Sequence, residues 1–402
     1  MTRDAIRSIG ALDELRQILP TEQIESHGKE SGSGSYAVEP ASRSELTELL
    51  LWANERGASV YTRRPREQDA ERPGGRLRIY LRGHRMARIQ DLDIVSGTVT
   101  VQSGITMAEL HRALEERGYT TGFPTRAWRD ESLGAVVAAV MDAHWGPPYG
   151  SRESEVVGLA VVLPDGTDAR SRVAPRKAVG PDFDRIFLGS RGQLGIIYEV
   201  TLRIYPSSVR QELTYAARDM TEALASIRLG YNRGLAPRAI EILTPAPDRS
   251  WGAKRVGLSE ERPVLVLVEP WGRQSSVSGE LLDEHMSSVL ERLEPPIGWH
   301  LHEGLLPPPR GWKAPVVGVP WTRLAGLATD LGDETPPGLW VVRMSRQGAW
   351  VSLAEGVQGP QADLVRALIQ EHSQAPVSVW ASVRESMRTS LDPQGVLNPQ
   401  TP

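Results

Sequence analysis

The chain has 402 residues, with 46 Lys plus Arg against 50 Asp plus Glu, 38 Gly, 30 Pro and no Cys. Without cysteine there is no disulfide framework, thiolate zinc site, cysteine-ligated iron–sulfur cluster or thiol nucleophile. A net charge of −4 gives no reason to expect nucleic acid or an anionic membrane as partner, and at about 150 residues per domain the length suggests two or three domains.

Met1 to Leu19 carries Arg3, Asp4, Arg7, Asp13, Glu14 and Arg16, so it lacks the apolar core of a signal peptide. No run approaches about 18 uncharged apolar residues. The expectation is a soluble, cytoplasmic protein. Residues 11–19 have apolar side chains at helical spacing, and Pro20 stops them. The Gly/Ser-rich residues 28–36 read as a connection, and residues 36–40 as a short strand. Ser42 followed by Glu45 has the spacing of a capping box, opening the helix RSELTELLLWANER, which Gly57 closes. Residues 58–61 are the next strand, so the chain opens as a strand–helix–strand unit of parallel sense. A highly charged loop follows over 62–76, then strands over 77–81 and 94–103. Thr106 starts a helix that ends at Gly118, and residues 132–143 predict a helix of small residues. The β-branched runs 156–163 and 196–204 predict strands, with a turn at Pro164-Asp165-Gly166.

Beyond Pro206 the texture changes. Strands are predicted over 211–217 and 263–269, helices over 219–229 and 276–293, and proline is dense over 295–320. Eight of the eleven tryptophans lie in this half. With three Phe in the whole chain, tryptophan filling core positions is the simpler reading, ahead of an aromatic pocket or interface. A domain boundary is expected near residue 207, and no internal repeat of fixed period is present.

Two stretches carry a specific likeness. They are GSRESEVVGLAVVLPDG with PRKAVGPDFDRIFLGSRGQLGIIYEVTLRIYP, within 150–206, and the C-terminal LDPQGVLNPQ. They resemble the FAD-linked oxidases of the vanillyl-alcohol oxidase / p-cresol methylhydroxylase superfamily. The nearest flavour is the group of D-lactate dehydrogenase, glycolate oxidase and alkyl-dihydroxyacetone-phosphate synthase. ALDELRQILP, the unit over 37–61, RMARIQDLDIVSGTVTVQSGITMAELHRALEERGY, LAPRAIEIL and RPVLVLVEPWG fall in family order.

The resemblance implies an α+β fold: a two-subdomain FAD-binding module over 1–206, with its subdomain boundary near 104–120, then a reduced ferredoxin-like cap over 207–376. A C-terminal helix and tail over 377–402 would return to the first domain. It also implies FAD as cofactor and a small-molecule substrate. With no cysteine, a covalent link to the flavin is open only to His or Tyr, and the expected mode is non-covalent.

The pyrophosphate of FAD needs several backbone N–H groups from glycine-rich turns. Where the family has such a loop, this chain has Tyr61-Thr62-Arg63-Arg64-Pro65-Arg66-Glu67, with no glycine between Gly57 and Gly74. Three readings stay open. Arg63, Arg64 and Arg66 could meet the phosphates with guanidinium forks; FAD binding could be lost, leaving a flavin-free homologue that binds, scaffolds or regulates as a subunit; or the loop could meet a partner. Ser132-Leu133-Gly134 keeps part of a second phosphate-side element. Gly192, Gly195, Ile196 and Ile197 match the family stretch that holds the adenine, and equally fit a tight turn into a buried strand. For proton transfer, His300 and His302 would share one face of a strand, and His144 lies in the segment that would face the flavin. Plain structural roles outweigh catalysis for all three histidines. No metal site is expected, and a homo-oligomer or partner subunit is left open.

Overall fold

A computed structural model describes residues 10–27, 35–62, 76–121, 129–138, 155–171, 173, 182–207, 213–235, 237, 239–244, 258–259, 261–270, 277–294, 317–331, 339–342, 348–353, 363, 367–368, 371 and 377–398.

The first sheet holds β1 (Ile24–His27), β2 (Ser35–Val38), β3 (Ser59–Tyr61) and β4 (Arg78–Leu81) in the order β1-β2-β4-β3. β2 and β3 run parallel, as a strand–helix–strand unit should, but β4 inserts between them and pairs with both. The intervening helix α2 (Arg43–Arg56) follows α1 (Ala11–Ile18). The Ser42 hydroxyl accepts the Glu45 N–H, while the Glu45 carboxylate accepts the N–H of Ala41 at 2.9 Å, so the box closes one residue further back than the sequence spacing predicts. At the other end Gly57 takes φ 64°, the left-handed conformation that a C-terminal cap requires. Leu46, Leu49, Leu50 and Ala53 are fully buried. Trp52 Nε1 and Arg56 Nε both donate to Glu14 Oε2, which fastens α2 to α1.

The second sheet is antiparallel, in the order β5-β6-β10-β8-β9. Its strands are β5 (Ile89–Asp93), β6 (Thr98–Gln102), β8 (Val156–Val162), β9 (Asp168–Arg170) and β10 (Ile196–Arg203). Every residue of β8 is buried, which explains its unbroken apolar run. The strand predicted from residue 94 starts later, at Thr98. Asp93 Oδ1 accepts the N–H groups of Val95 and Ser96, holding residues 94–97 as a turn. Helix α3 (Met107–Glu115) carries a complete capping box between Thr106 and Glu109. Thr106→Ala should therefore lower stability by about 1 kcal/mol, read as a lower urea midpoint at unchanged slope. The short strand β7 (Tyr119–Thr120) pairs with β11 (Tyr205–Pro206). Helix α4 (Leu133–Ala138) opens the helix predicted over 132–143, whose remainder lies outside the described residues, and α5 (Asp184–Phe187) follows β9.

The third sheet uses seven antiparallel strands in the order β15-β12-β14-β13-β17-β18-β16. β12 (Leu213–Ala217), α6 (Met220–Asn232), β13 (Ala239–Leu243), β14 (Val264–Glu269), α7 (Val277–Ser287) and β15 (Glu291–Arg292) form the βαββαβ succession of a ferredoxin-like unit. The predicted helix 276–293 thus stops at Ser287 and turns into a strand. Then β16 (Val317–Pro320), α8 (Trp321–Leu331), β17 (Leu339–Val342) and β18 (Gly348–Leu353) extend the sheet through the pairing of β13 with β17. Alternate residues Leu213, Tyr215, Ala217, Val264, Val266 and Val268 pack against α6, α7 and α8 to make this core.

Helix α9 (Val377–Leu391) is followed by a tight turn. The buried Asp392 carboxylate accepts the N–H groups of Val396 and Leu397, both at 2.8 Å. Val396 and Leu397 are fully buried in the core of the first sheet, and Leu397 bridges Val60. Among the described residues, no helix is long and apolar enough to cross a membrane.

Candidate functional site

The end of β6 is a junction. The Ser103 N–H donates to Tyr198 O, its hydroxyl donates to Ile197 O at 2.7 Å, and its carbonyl accepts the N–H of Gly134 at 2.7 Å. The Leu133 N–H donates to Ile105 O, and the Ala135 N–H to the Ser132 hydroxyl. The first-turn donors at 133–135, which an isolated helix would leave over, are thus spent inside the chain. Ser132, Leu133 and Gly134 stand at the start of α4, and their hydrogen bonds seat this helix on the sheet. A Cβ at Gly134 would lie 2.9 Å from the Ser103 Cβ, so the seat is closely packed.

The other end of α4 receives the turn that leads into β10. The Gly189 N–H donates to Val137 O, and the Arg191 N–H to Ala138 O at 2.7 Å. Gly189, Arg191 and Gly192 all have positive φ, at 73°, 56° and 67°. A left-handed arginine is uncommon and carries a cost that the surroundings must offset. Among the described residues, the hydroxyl of buried Ser190 has no hydrogen-bond partner and the Gly192 N–H donates to none. Gly195 must be glycine for packing, because a Cβ there would fall 2.5 Å from Val161 Cγ1. Ile196 and Ile197 follow, buried and paired with Val162 and Val161.

Ser132, Leu133, Gly134, Gly192, Gly195, Ile196 and Ile197, scattered over 66 positions, are therefore joined into one network by Ser103 and α4. Arg63, Arg64, Arg66, His144, His300 and His302 lie outside the described residues. Three members of the network escaped the sequence reading: Thr62, Ser103 and Asn398. Asn398 closes it from the far end of the chain, donating Nδ2–H to Gly192 O at 3.0 Å and accepting the Thr62 N–H at 3.0 Å. Its place in the LNP motif was the available signal, but nothing local names its partners.

A separate titratable group is Glu155, 1% exposed at the start of β8. The Tyr205 hydroxyl donates to both its carboxylate oxygens at 3.0 Å. Burial pushes its pKa up to about 7, against the opposing pull of Tyr205 and Arg203. Glu155 stands at the opposite end of β8 from the pairing with Ile196, about 20 Å away at the rise of a strand, so it does not belong to the network. Among the described residues no group of three metal-ligating side chains comes together.

Residues 35–170 match the model of the FAD binding domain family. The uncharacterized FAD-linked oxidoreductase YgcU of Escherichia coli is 35% identical over 154 residues, covering 38% of this chain and 31% of that protein. A putative mitochondrial D-lactate dehydrogenase of Schizosaccharomyces pombe is 25% identical over 289 residues, covering 67% and 52%. The chain thus spans between about a third and a half of these curated relatives. The solved structure of an alkyldihydroxyacetonephosphate synthase superposes with a TM-score of 0.70 at 17% identity, covering 100% of this chain and 86% of that one.

The described part of the site suits FAD. A left-handed glycine turn, an unpartnered buried hydroxyl and an unspent N–H stand beside an apolar strand start, which is what a ligand with phosphate, ribose and flat ring parts needs. The start of α4 adds no free N–H at 133–135. Residues 35–170 therefore match the FAD binding domain family, which gives FAD as the cofactor, and the chain has the fold of the alkyldihydroxyacetonephosphate synthase structure.

Proposed function

We propose that this protein is an FAD-dependent oxidoreductase that oxidises a hydroxylated organic small molecule, with FAD held non-covalently. In this reading the FAD-binding module covers 1–206, and the seven-stranded domain over 207–376 caps it. The observation that carries it is the turn over 189–197, with its unpartnered Ser190 hydroxyl and unspent Gly192 N–H, joined by hydrogen bonds to the domain that matches the FAD-binding family. FAD supplies the hydride acceptor when bound. Ser190 and Gly192 hold an acceptor group of the cofactor, Gly195 lets β10 start close against β8, and buried Ile196 and Ile197 provide an apolar, water-poor edge. Arg63 and Arg64 are proposed to meet its phosphates, and His144, His300 and His302 are the proposed acceptors of the substrate proton. The hydroxylated substrate follows the S. pombe relative, a putative D-lactate dehydrogenase.

Purified protein should be yellow, with the two flavin absorption bands, and acid precipitation should release FAD into the supernatant. Flavin retained in the pellet would contradict non-covalent binding. Colourless protein that takes up no added FAD would overturn the enzymatic reading in favour of a flavin-free homologue.

A further inference from the structure

The C-terminal segment 392–398 touches the chain at three places that bear on the proposed cofactor site. Its backbone pairs with the end of β3: the Val60 N–H donates to Val396 O, and the Asn398 N–H to Val60 O, both at 2.7 Å. Its carbonyls at Gln394 and Gly395 accept from Arg76 Nη1 at 2.6 and 3.1 Å. Thr62 and Arg76 are the described residues on either side of 63–75, so one short segment holds both of the flanks of that charged stretch. The third contact is the Asn398 side chain, which joins Thr62 to the Gly192 turn.

Anchoring the tail does not require that side chain. Val396 and Leu397 are already fully buried, and Asp392 holds their N–H groups. The amide of Asn398 is directed elsewhere. Oδ1 accepts the Thr62 N–H, and Nδ2 donates to Gly192 O and to Thr62 Oγ1, so every group it bonds belongs to the two backbone segments that border the site. Asn398 does this at φ 37°, a left-handed conformation that asparagine tolerates better than most residues. The partner is equally specific. Gly192 has φ 67°, and a Cβ on it would lie 2.8 Å from Asn398 Nδ2 and 3.0 Å from Thr62 Oγ1. By donating to the carbonyl of Gly192, the clamp leaves the N–H of the same residue for a ligand.

We propose that Asn398 is a positioning residue for the cofactor: the C-terminal segment clamps the end of β3 to the Gly192 turn and so sets the spacing between the phosphate side and the adenine side of the FAD site. This rests on the FAD reading above and adds a role for the tail.

The test is FAD binding by full-length protein stripped of flavin, titrated with FAD and followed by flavin fluorescence, together with the melting temperature without flavin. Asn398→Gly keeps the left-handed backbone and removes the clamp. It should weaken FAD binding at least about tenfold, while the flavin-free melting temperature moves by less than about 2 °C. Gly192→Ala should weaken binding by wedging the same contact, and the double variant should lose no more than the worse single one, because both act through one junction. Unchanged FAD affinity in Asn398→Gly overturns the proposal. So does a fall in affinity that only parallels a large drop in melting temperature, which would make Asn398 a plain structural anchor. Wild-type protein that takes up no FAD is a different result: it removes the FAD reading itself, and the clamp with it.

Discussion

Gly104→Ala should fail to yield folded protein, or should cost at least about 4 kcal/mol, a loss reached only by a few well-defined mechanisms. The cause is backbone against backbone. A Cβ on Gly104 would lie 1.8 Å from the carbonyl oxygen of Gly83, 2.5 Å from its carbonyl carbon and 2.7 Å from Met86 O. No rotamer change can relieve such a contact, because none of the three atoms belongs to a side chain. The Gly104 N–H donates to Met86 O, and Ser103 beside it joins β10 and α4, so moving this backbone would unseat the network around Ser103 as well. Expression level, circular dichroism and thermal melting of Gly104→Ala test this. A variant that melts within about 2 °C of the wild type would show that the approach of 83 to 104 is not needed. Gly57→Ala is the useful contrast. It has nothing within 4 Å of its missing Cβ and strain only from φ 64°, so its loss should be much smaller.

Glu155→Gln should remove a pH dependence of stability worth about 2.5 kcal/mol between pH 5 and pH 8, at about 1.4 kcal/mol per pKa unit. Burial raises the native pKa from 4.5 to about 7, so the folded chain holds a proton there that the unfolded chain has released. More protons in the native state mean that stability falls as pH rises, beginning near 4.5 and largely complete above 7. The cause is the 1% exposure of this carboxyl, which the Tyr205 hydroxyl and the more distant Arg203 offset in part. Glutamine cannot ionise, so its urea unfolding free energy should be level across this range wherever Glu155 governs the wild-type slope. Parallel curves for the two proteins would show that Glu155 is ionised without penalty in the native state.

Punctuation by capping residues and glycines is legible because it acts within a turn of the chain. Ser42 and Gly57 delimit α2, and Thr106 with Glu109 starts α3, since each signal lies three or four residues from the backbone group it satisfies. The apolar runs at 156–162 and 196–203 likewise reveal buried strands without a partner in view. Pair order is a different matter. Nothing near residue 60 says that β4 will lie between β2 and β3, and nothing near 242 says that β17 will extend the sheet of the second half. Such pairings are settled by the closing of long loops around a shared core.

The candidate site divides in the same way. Residues 189–197 were identifiable from their glycines and from the apolar run that follows, because a tight turn into a buried strand has a local sequence requirement. Ser103 and Asn398 were not identifiable, since a serine or an asparagine is compatible with most surface loops. Asn398 meets Gly192 across 206 residues and Thr62 across 336. The amides of 133–135 show the converse: the family likeness made Ser132-Leu133-Gly134 a phosphate-side candidate, while in the fold the N–H groups of 133–135 are bonded to Ser103, Ile105 and Ser132. The amino-acid sequence thus specified most of the elements and the capped ends of α2 and α3, and its likeness to FAD-linked oxidases pointed to the cofactor, while the start of β6 and the end of α7 differ from the sequence reading. Which polar groups are spent and which are left for a ligand was decided by contacts between segments hundreds of residues apart, because a buried donor must be satisfied by whatever the folded chain brings within 3 Å of it.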